Sequence, residues 1–440
     1  MGKKIWLIVP AAVLIAALAL YFVVFHKKED TSQYPRVIVL GLDGAGWNFI
    51  NPMLERGLLP HLKALMDEGS YGVLETIKPT KSPVIWTSIA TGKSMLKHGI
   101  VDFTHAGTGA DPKPIPFTSV DRRVKAFWNI LSDHGRSVGV VNWHTGYPPE
   151  KVNGFMVSDH LHEVGRTGSL SRNLVTYPTS LQKTLEFTAQ KDPAKVYRQE
   201  NLPNFKKRKR LGAMDRSYPR IVLKDETAKL DALYMLKRYP VEVFAAYFSI
   251  LDFVNHFIYW SINPKLRQKG RIEEQRLGHV SPETREALDA TCSRLMEPFY
   301  AYADRIVGEF LDAVGHDVTL IVCSDHSFLF HNGRYAHYEA LEIPHGILLI
   351  KGPNIRKGYK IPKAHIYDVL PTMLYSLGMP VARDMDGKVL TDIFDRDFLD
   401  RKPVAFIPTY EDGKKNKPAE LDPATKEKLL EELRALGYIK

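Results

Sequence analysis

Cysteine is nearly absent: the 440-residue chain has two, Cys292 and Cys323. That excludes a disulfide-stapled scaffold, a cysteine-rich zinc fold and an iron–sulfur cluster. It carries no information about redox compartment. Internal repeats and low-complexity tracts are also missing, which excludes a collagen-like chain. Hydrophobic residues make up 44% and charged residues 25%, so disorder is excluded for most of the length. Long apolar runs are scarce, and only the run from Ile5 to Phe25 extends for 21 residues without a charge.

That run corresponds to about 31 Å of helix, enough to cross a hydrocarbon core of ~30 Å. Lys3 and Lys4 precede it, and His26, Lys27 and Lys28 follow. A cleaved signal peptide has a shorter apolar stretch and a small-residue cleavage site, whereas this one ends in bulky Tyr21, Phe22 and Phe25. The reading is an uncleaved signal anchor, hence a single-pass membrane protein. The rest of the chain is expected on the extracytoplasmic side, periplasmic or extracellular. Lysines at both ends leave the orientation open.

The net charge of +10 is concentrated: residues 191–238 hold 14 Lys/Arg and 6 Asp/Glu. A solvated surface is the plain reading, and a lid that attracts an anion or faces anionic lipid is the sharper one. The run Lys206-Lys207-Arg208-Lys209-Arg210 stands without any nucleic-acid-binding motif, so no nucleic-acid partner is expected.

Elsewhere, continuous β-branched runs alternate with helical stretches. Val37 to Leu40, Val138 to Asn142, Val241 to Leu251, Val318 to Val322 and Ile347 to Ile350 read as strands buried on both faces. Residues 54–66, 124–131, 282–311 and 366–377 read as helices. The alternation predicts an α/β fold with a largely parallel central sheet flanked by helices. The expected organisation is an anchor at 1–29 and a first core part at 30–154. An inserted basic cap at 155–237, a second core part at 238–400 and a tail with a helix at 401–440 complete it.

In an open α/β sheet, ligands bind beyond the carboxyl ends of the strands. The first run ends in Asp43, the run from Val243 in Asp252 with His256 four residues on, and the run from Val318 in Ser324-Asp325-His326. Singly, each Asp is a common turn former or helix cap. Together, three converging carboxylates repel unless cations neutralise them. Asp oxygen and His nitrogen suit zinc and other divalent ions, and this many ligands serves two ions. Ser82, in Pro79-Thr80-Lys81-Ser82-Pro83, opens a helical segment. It is either a plain helix cap or, beside such a site, a nucleophile.

These residues together resemble the alkaline phosphatase superfamily, in particular its type I phosphodiesterase/nucleotide pyrophosphatase branch. The resemblance rests on blocks in a fixed order: Val37 to Gly44, Ser82 to Lys93 with His98-Gly99-Ile100, Asp252 to His256, Ser324 to His326, and Gly352 to Ile355 with Tyr367 to Thr372 and Asp384 to Gly387. It implies an alkaline-phosphatase-like core and two divalent ions, most readily Zn2+, with Mn2+ or iron as alternatives. It also implies phosphate ester hydrolysis, of diesters above all, through a phosphoserine on Ser82. One ion would take Asp43, Asp325, His326 and Ser82. The other would take Asp252, His256 and a third histidine, His337 ahead of His345, with His331 a distant third. Lys81 or Lys93 would add positive charge or be surface lysines.

Two positions depart from the family pattern. A serine stands where a threonine nucleophile is usual, and Phe103 falls near the family's oxyanion asparagine. A sulfatase is disfavoured, because no Cys/Ser-x-Pro-x-Arg surrounds Ser82. The implied partner is a small-molecule or lipid phosphate ester. A phosphotransferase of the same superfamily and a non-catalytic anion-binding ectodomain are the alternatives.

Overall fold

The structure is a computed structural model and describes residues 36–107, 113–161, 175–185, 188–204, 214–258, 264–315, 317–331, 334–337, 343–413, 423–436 and 439. The apolar run 5–25 and the basic run 206–210 lie outside the described residues. Among the described residues no helix is long and apolar enough to cross a membrane.

The runs of Val, Ile and Leu build a ten-stranded sheet. Its strands are β1 (Val37–Leu42), β2 (Ser70–Glu75), β3 (Val138–Val141), β4 (Gly154–Val157), β5 (Thr176–Tyr177), β6 (Val243–Phe248), β7 (Thr319–Cys323), β8 (Gly346–Lys351), β9 (Tyr359–Lys360) and β10 (Ala364–His365). The order across the sheet is β9-β2-β8-β7-β1-β6-β3-β4-β5, with β10 also on β2. The middle strands β4, β3, β6, β1 and β7 run parallel. β8 is antiparallel to both β7 and β2, so the sheet is mixed rather than parallel throughout. No helix intervenes between β7 and β8 among the described residues. Without a crossover the chain returns in the opposite direction.

Helices cover both faces. Among them are α1 (Trp47–Leu54), α2 (Pro60–Glu68), α3 (Ser82–Thr91), α4 (Phe127–Asp133), α5 (Met214–Arg238), α6 (Ile250–Ile258), α7 (Pro282–Ala313), α8 (Val369–Ser376) and α9 (Pro423–Leu436). Side chains alternate along a strand, and β1 accordingly feeds two cores. Ile38, Leu40 and Leu42 pack with residues of α1, α2, α5, α6 and α7. Val37 and Val39 pack on the other face with Ile85 and Trp86 of α3, Phe127 and Trp128 of α4 and Leu370 of α8.

Three expectations change. The helix expected over 54–66 is two helices, because Gly57 adopts φ +69° and Pro60 starts a new one. The apolar run 241–251 does not end as a strand at Asp252. β6 stops at Phe248, and α6 begins at Ile250, so Asp252 lies in its first turn. Finally, residues 155–237 do not stand wholly apart as a cap. β4 joins the sheet beside β3, and α5 buries Tyr218, Ile221, Val222, Ala232, Met235 and Leu236 in the core under β1 and β6. Their spacing is a helical stripe, set between charged residues that dominate the composition.

Candidate active site

Register brings the carboxyl ends of β1, β6 and β7 level. Val37 pairs with both Val243 and Thr319, and Leu42 with Phe248. The chain leaves β1 through Asp43 and Gly44. Gly44 has φ +76°, and a Cβ there would meet the Asp252 backbone at 2.7 Å, so only glycine lets these two segments touch. The Gly44 N–H donates to Asp325 Oδ1 at 3.2 Å, and the Ala45 N–H donates to Ser324 Oγ at 2.9 Å. The ends of β1 and β7 are thus tied together. Asp43 Oδ2 accepts the Tyr247 hydroxyl at 2.5 Å and Trp86 Nε1–H at 3.0 Å.

His326 Nε2 lies 3.3 Å from Asp325 Oδ2, 3.7 Å from Asp43 Oδ1 and 3.8 Å from Asp252 Oδ1. Its Nδ1 lies 3.1 Å from the Ser327 carbonyl. A carbonyl only accepts, so Nδ1 carries the proton and Nε2 presents a lone pair to the carboxylates. His337 repeats this arrangement. Its Nδ1 donates to the Thr80 carbonyl at 2.7 Å, and its Nε2 lies 3.7 Å from Asp252 Oδ1 and 3.1 Å from His256 Nε2. His256 Nε2 is 3.4 Å from Asp252 Oδ1. The His326 and His337 rings stack at 3.8 Å. Two groups of three donors therefore come together, Asp43/Asp325/His326 and Asp252/His326/His337, and His256 adjoins the second.

Ser82 is the first residue of α3, followed by Pro83 at a position where a missing N–H costs nothing. Its chain neighbours reach both groups. Thr80 holds His337 through its carbonyl and hydroxyl. Trp86, one turn on and on the same helix face, holds Asp43.

The electrostatics ask for a cation. Burial, then repulsion from Asp325 and Asp252, holds the Asp43 carboxyl well above the usual range. Burial and Asp252 push Asp325 up to about 7. Burial lowers the pKa of His326 and, together with the two neighbouring imidazoles, lowers that of His337 further. Asp43 Oδ1, Ser82 Oγ, Asp325 Oδ2 and His326 Nε2 are buried and make no hydrogen bond. A buried polar atom without a partner costs about 1–3 kcal/mol, and four together need a common explanation. Carboxylate oxygens, a hydroxyl and outward-facing imidazole lone pairs form a donor set that fits divalent ions.

His345 is not brought into the cluster. Its Nδ1 accepts the Thr76 N–H at 3.1 Å. Lys81 pairs with Asp102, and Lys93, just past the end of α3, is buried against Asp384 at 2.7 Å and against Glu411 of the tail at 2.8 Å. Phe103 is buried with its ring 6.4 Å from that of His144. Sequence reasoning missed the residues that orient the donors, namely Thr80, Trp86 and Tyr247. For Trp86 a signal existed, its position four residues after Ser82. For Tyr247, 204 residues from Asp43, none did.

The family model of type I phosphodiesterase/nucleotide pyrophosphatase matches residues 37–348, which span every donor described above. No curated protein sequence matches the chain. Among solved structures, a putative sulfatase from Bacteroides thetaiotaomicron is similar at 11% identity and TM-score 0.50, covering 82% of this chain and 74% of that one. A 2-O GAG sulfatase is similar at 11% identity and TM-score 0.50, covering 88% and 76%. Human ectonucleotide pyrophosphatase/phosphodiesterase 5 aligns at 13% identity and TM-score 0.49, over 82% of this chain and 100% of that one. At such identities the two sulfatases speak for the alkaline-phosphatase-like fold alone. The match over 37–348 says more: the chain belongs to the type I phosphodiesterase/nucleotide pyrophosphatase family and is a phosphoric ester hydrolase.

Proposed function

We propose that the cluster hydrolyses phosphodiesters, with Ser82 as nucleophile and two divalent ions as cofactors. Asp43, Asp325, His326 and Ser82 Oγ would hold one ion, and Asp252, His256 and His337 the other. The mixture of Asp oxygen and His nitrogen suits zinc. The observation that carries the reading is the set of four buried atoms without a hydrogen bond, Asp43 Oδ1, Ser82 Oγ, Asp325 Oδ2 and His326 Nε2. Bound divalent ions supply charge neutralisation to the transferring phosphoryl group and lower the pKa of hydroxyl and water oxygens.

The chain's own residues then have definite tasks. Ser82 Oγ attacks phosphorus in line, its bond to phosphorus forming as the leaving alkoxide departs. Water next attacks the phosphoserine and returns the hydroxyl to Ser82. Tyr247 and Trp86 fix the Asp43 carboxylate, so it pays little reorganisation as charge develops. Thr80 fixes the tautomer of His337 and, two residues before Ser82, couples the histidine to the nucleophile's helix. Residues 191–238, with their positive balance, fit an anionic substrate. The apolar run 5–25 supports a membrane tether, and with it a lipid or other membrane-proximal ester on the extracytoplasmic side.

The test uses purified protein, with metal content measured by mass spectrometry. Hydrolysis of p-nitrophenyl phosphate and bis-p-nitrophenyl phosphate is compared side by side. The expected result is two equivalents of metal and preference for the diester. Ser82→Ala should abolish turnover and leave metal content nearly intact, and a chiral phosphorothioate should be cleaved with net retention. Near-normal turnover by Ser82→Ala refutes the serine, and net inversion refutes the covalent route.

A further inference from the structure

The start of α6 is held by a carboxylate from another helix. Asp225 of α5 is buried. Its Oδ2 accepts the backbone N–H of Ser249 at 2.8 Å and of Ile250 at 2.7 Å, and its Oδ1 accepts the Ser249 hydroxyl at 3.1 Å. These N–H groups lie at the beginning of the helix, where no intrahelical carbonyl can receive them.

The local sequence offers a different solution. Ser249-Ile250-Leu251-Asp252 has the serine-x-x-acid spacing of a capping box. In that motif the serine hydroxyl accepts an N–H from the first turn, and the acidic side chain reaches back to the serine N–H. Here both partners are diverted. The Ser249 hydroxyl and N–H are spent on Asp225. Asp252 instead puts Oδ1 at 3.4 Å from His256, 3.7 Å from His337 and 3.8 Å from His326. Gly44 packs against the Asp252 backbone.

We infer that Asp225 is a positioning residue: by occupying the Ser249 N–H it keeps Asp252 from capping its own helix and turns it toward the site shared with His256 and His337. The inference rests on the reading of that site as a metal site. Asp225 is not one of the grouped metal-site residues. It acts through the first turn of α6.

Equilibrium titration of the metal-free full-length protein with Zn2+ tests this, with circular dichroism to verify the fold. Wild type should bind two equivalents. Asp225→Ala should keep one at unchanged affinity and bind the other about 10–100-fold more weakly, the usual effect of removing a group that orients a ligand. Asp225→Asn, whose amide oxygen can receive both N–H groups, should restore the second equivalent. A cap that served stability alone would lower the melting temperature and leave both affinities unchanged. Should Asp225→Ala not fold, Asp225→Ser, too short to span to both N–H groups, is judged by the same expectation. Two equivalents bound by Asp225→Ala as in wild type, or no recovery in Asp225→Asn, overturns the positioning role alone. A wild type that binds no Zn2+ overturns the metal reading itself, and the inference with it.

Discussion

Asp43, Asp325 and His326 come from the ends of two strands paired in the central sheet, whereas Asp252 and His256 come from a helix and His337 from the end of a short hairpin strand, Arg334–Ala336, outside that sheet. The first set is set by sheet register, sealed from solvent, and tied across by the Gly44 and Ala45 N–H groups. The second set depends on supports brought from elsewhere, Asp225 beneath α6 and Thr80 behind His337. Exposure singles out one ligand of the second set: the His256 side chain is 23% exposed, whereas those of His326, Asp252 and His337 are 0%. Donor chemistry divides too, since the strand half offers more oxygen and the helix half more nitrogen. A half built on strand ends has its geometry determined when the sheet forms. A half built on a helix and a small hairpin outside the sheet must be held in place by particular side chains, and is correspondingly easier to disturb without unfolding the protein.

The largest effect should follow from an attack on the strand half. Asp43→Asn keeps the volume and can still accept from Tyr247 and Trp86, yet it removes the charge. Loss of one preorganised transition-state contact costs about 10²–10³-fold in rate. A lost ion should therefore cost at least ~10³-fold in bis-p-nitrophenyl phosphate turnover, together with one equivalent of metal. Full turnover with two equivalents retained would remove Asp43 from the site.

The next prediction sets the halves against each other. His256→Ala and His326→Ala should each be inactive without additions. Free imidazole should restore part of the activity of His256→Ala, because that ring lies partly open to solvent, and none to His326→Ala, whose ring is enclosed. Equal rescue, or none for either, would erase the contrast drawn from burial.

What the sequence made legible has the same grain. Strand-end residues could be read because a buried strand is a continuous apolar run and its carboxyl end is a defined place. Asp43, Asp325 and His326 fell out of that rule. Asp252 was found by the same rule for a partly wrong reason, since it lies inside α6 and not at a strand terminus. The choice between His337 and His345 stayed open because loop length carries no direction. Asp225 was hidden by composition. It falls on the stripe Tyr218, Ile221, Val222, Ala232, where an acid facing the core is an anomaly, but the surrounding positive charge drew the reading toward a solvated cap. Partners brought together only by the finished sheet, such as Tyr247 with Asp43, have no sequence-local signal.

A smaller effect is expected from Tyr247→Phe. It deletes one hydrogen bond to Asp43 Oδ2 and leaves Trp86 in place. Removing an orienting partner should weaken the strand-half ion by about tenfold and leave the helix-half ion unchanged, as read by stepwise Zn2+ titration. Equal weakening of both would mean that the halves share one electrostatic unit through His326.

The smallest effect concerns an acid outside both halves. Asp231 lies on α5 with Asp225 and is equally buried, but its carboxylate receives the Thr188 hydroxyl where Asp225 receives three donors. Burial pushes Asp231 up to about 8 and Asp225 only to about 6. A raised carboxyl pKa means that the folded state holds its proton more tightly than the unfolded chain, where the ordinary value is 3.8. Its stabilising contribution is therefore complete below that ordinary value and is lost as pH rises through about 8. Asp231→Asn keeps an acceptor for Thr188 and cannot ionise. Melting temperatures of wild type should thus fall relative to Asp231→Asn as pH rises from about 4 to about 8, and level off above that. Saturating Zn2+ raises both proteins by binding the folded state and should leave their difference at each pH unchanged. A difference that vanishes with Zn2+ would tie Asp231 to the cluster through α5, and the separation between a donor-rich acid that positions a helix and a donor-poor acid that is merely buried would no longer hold.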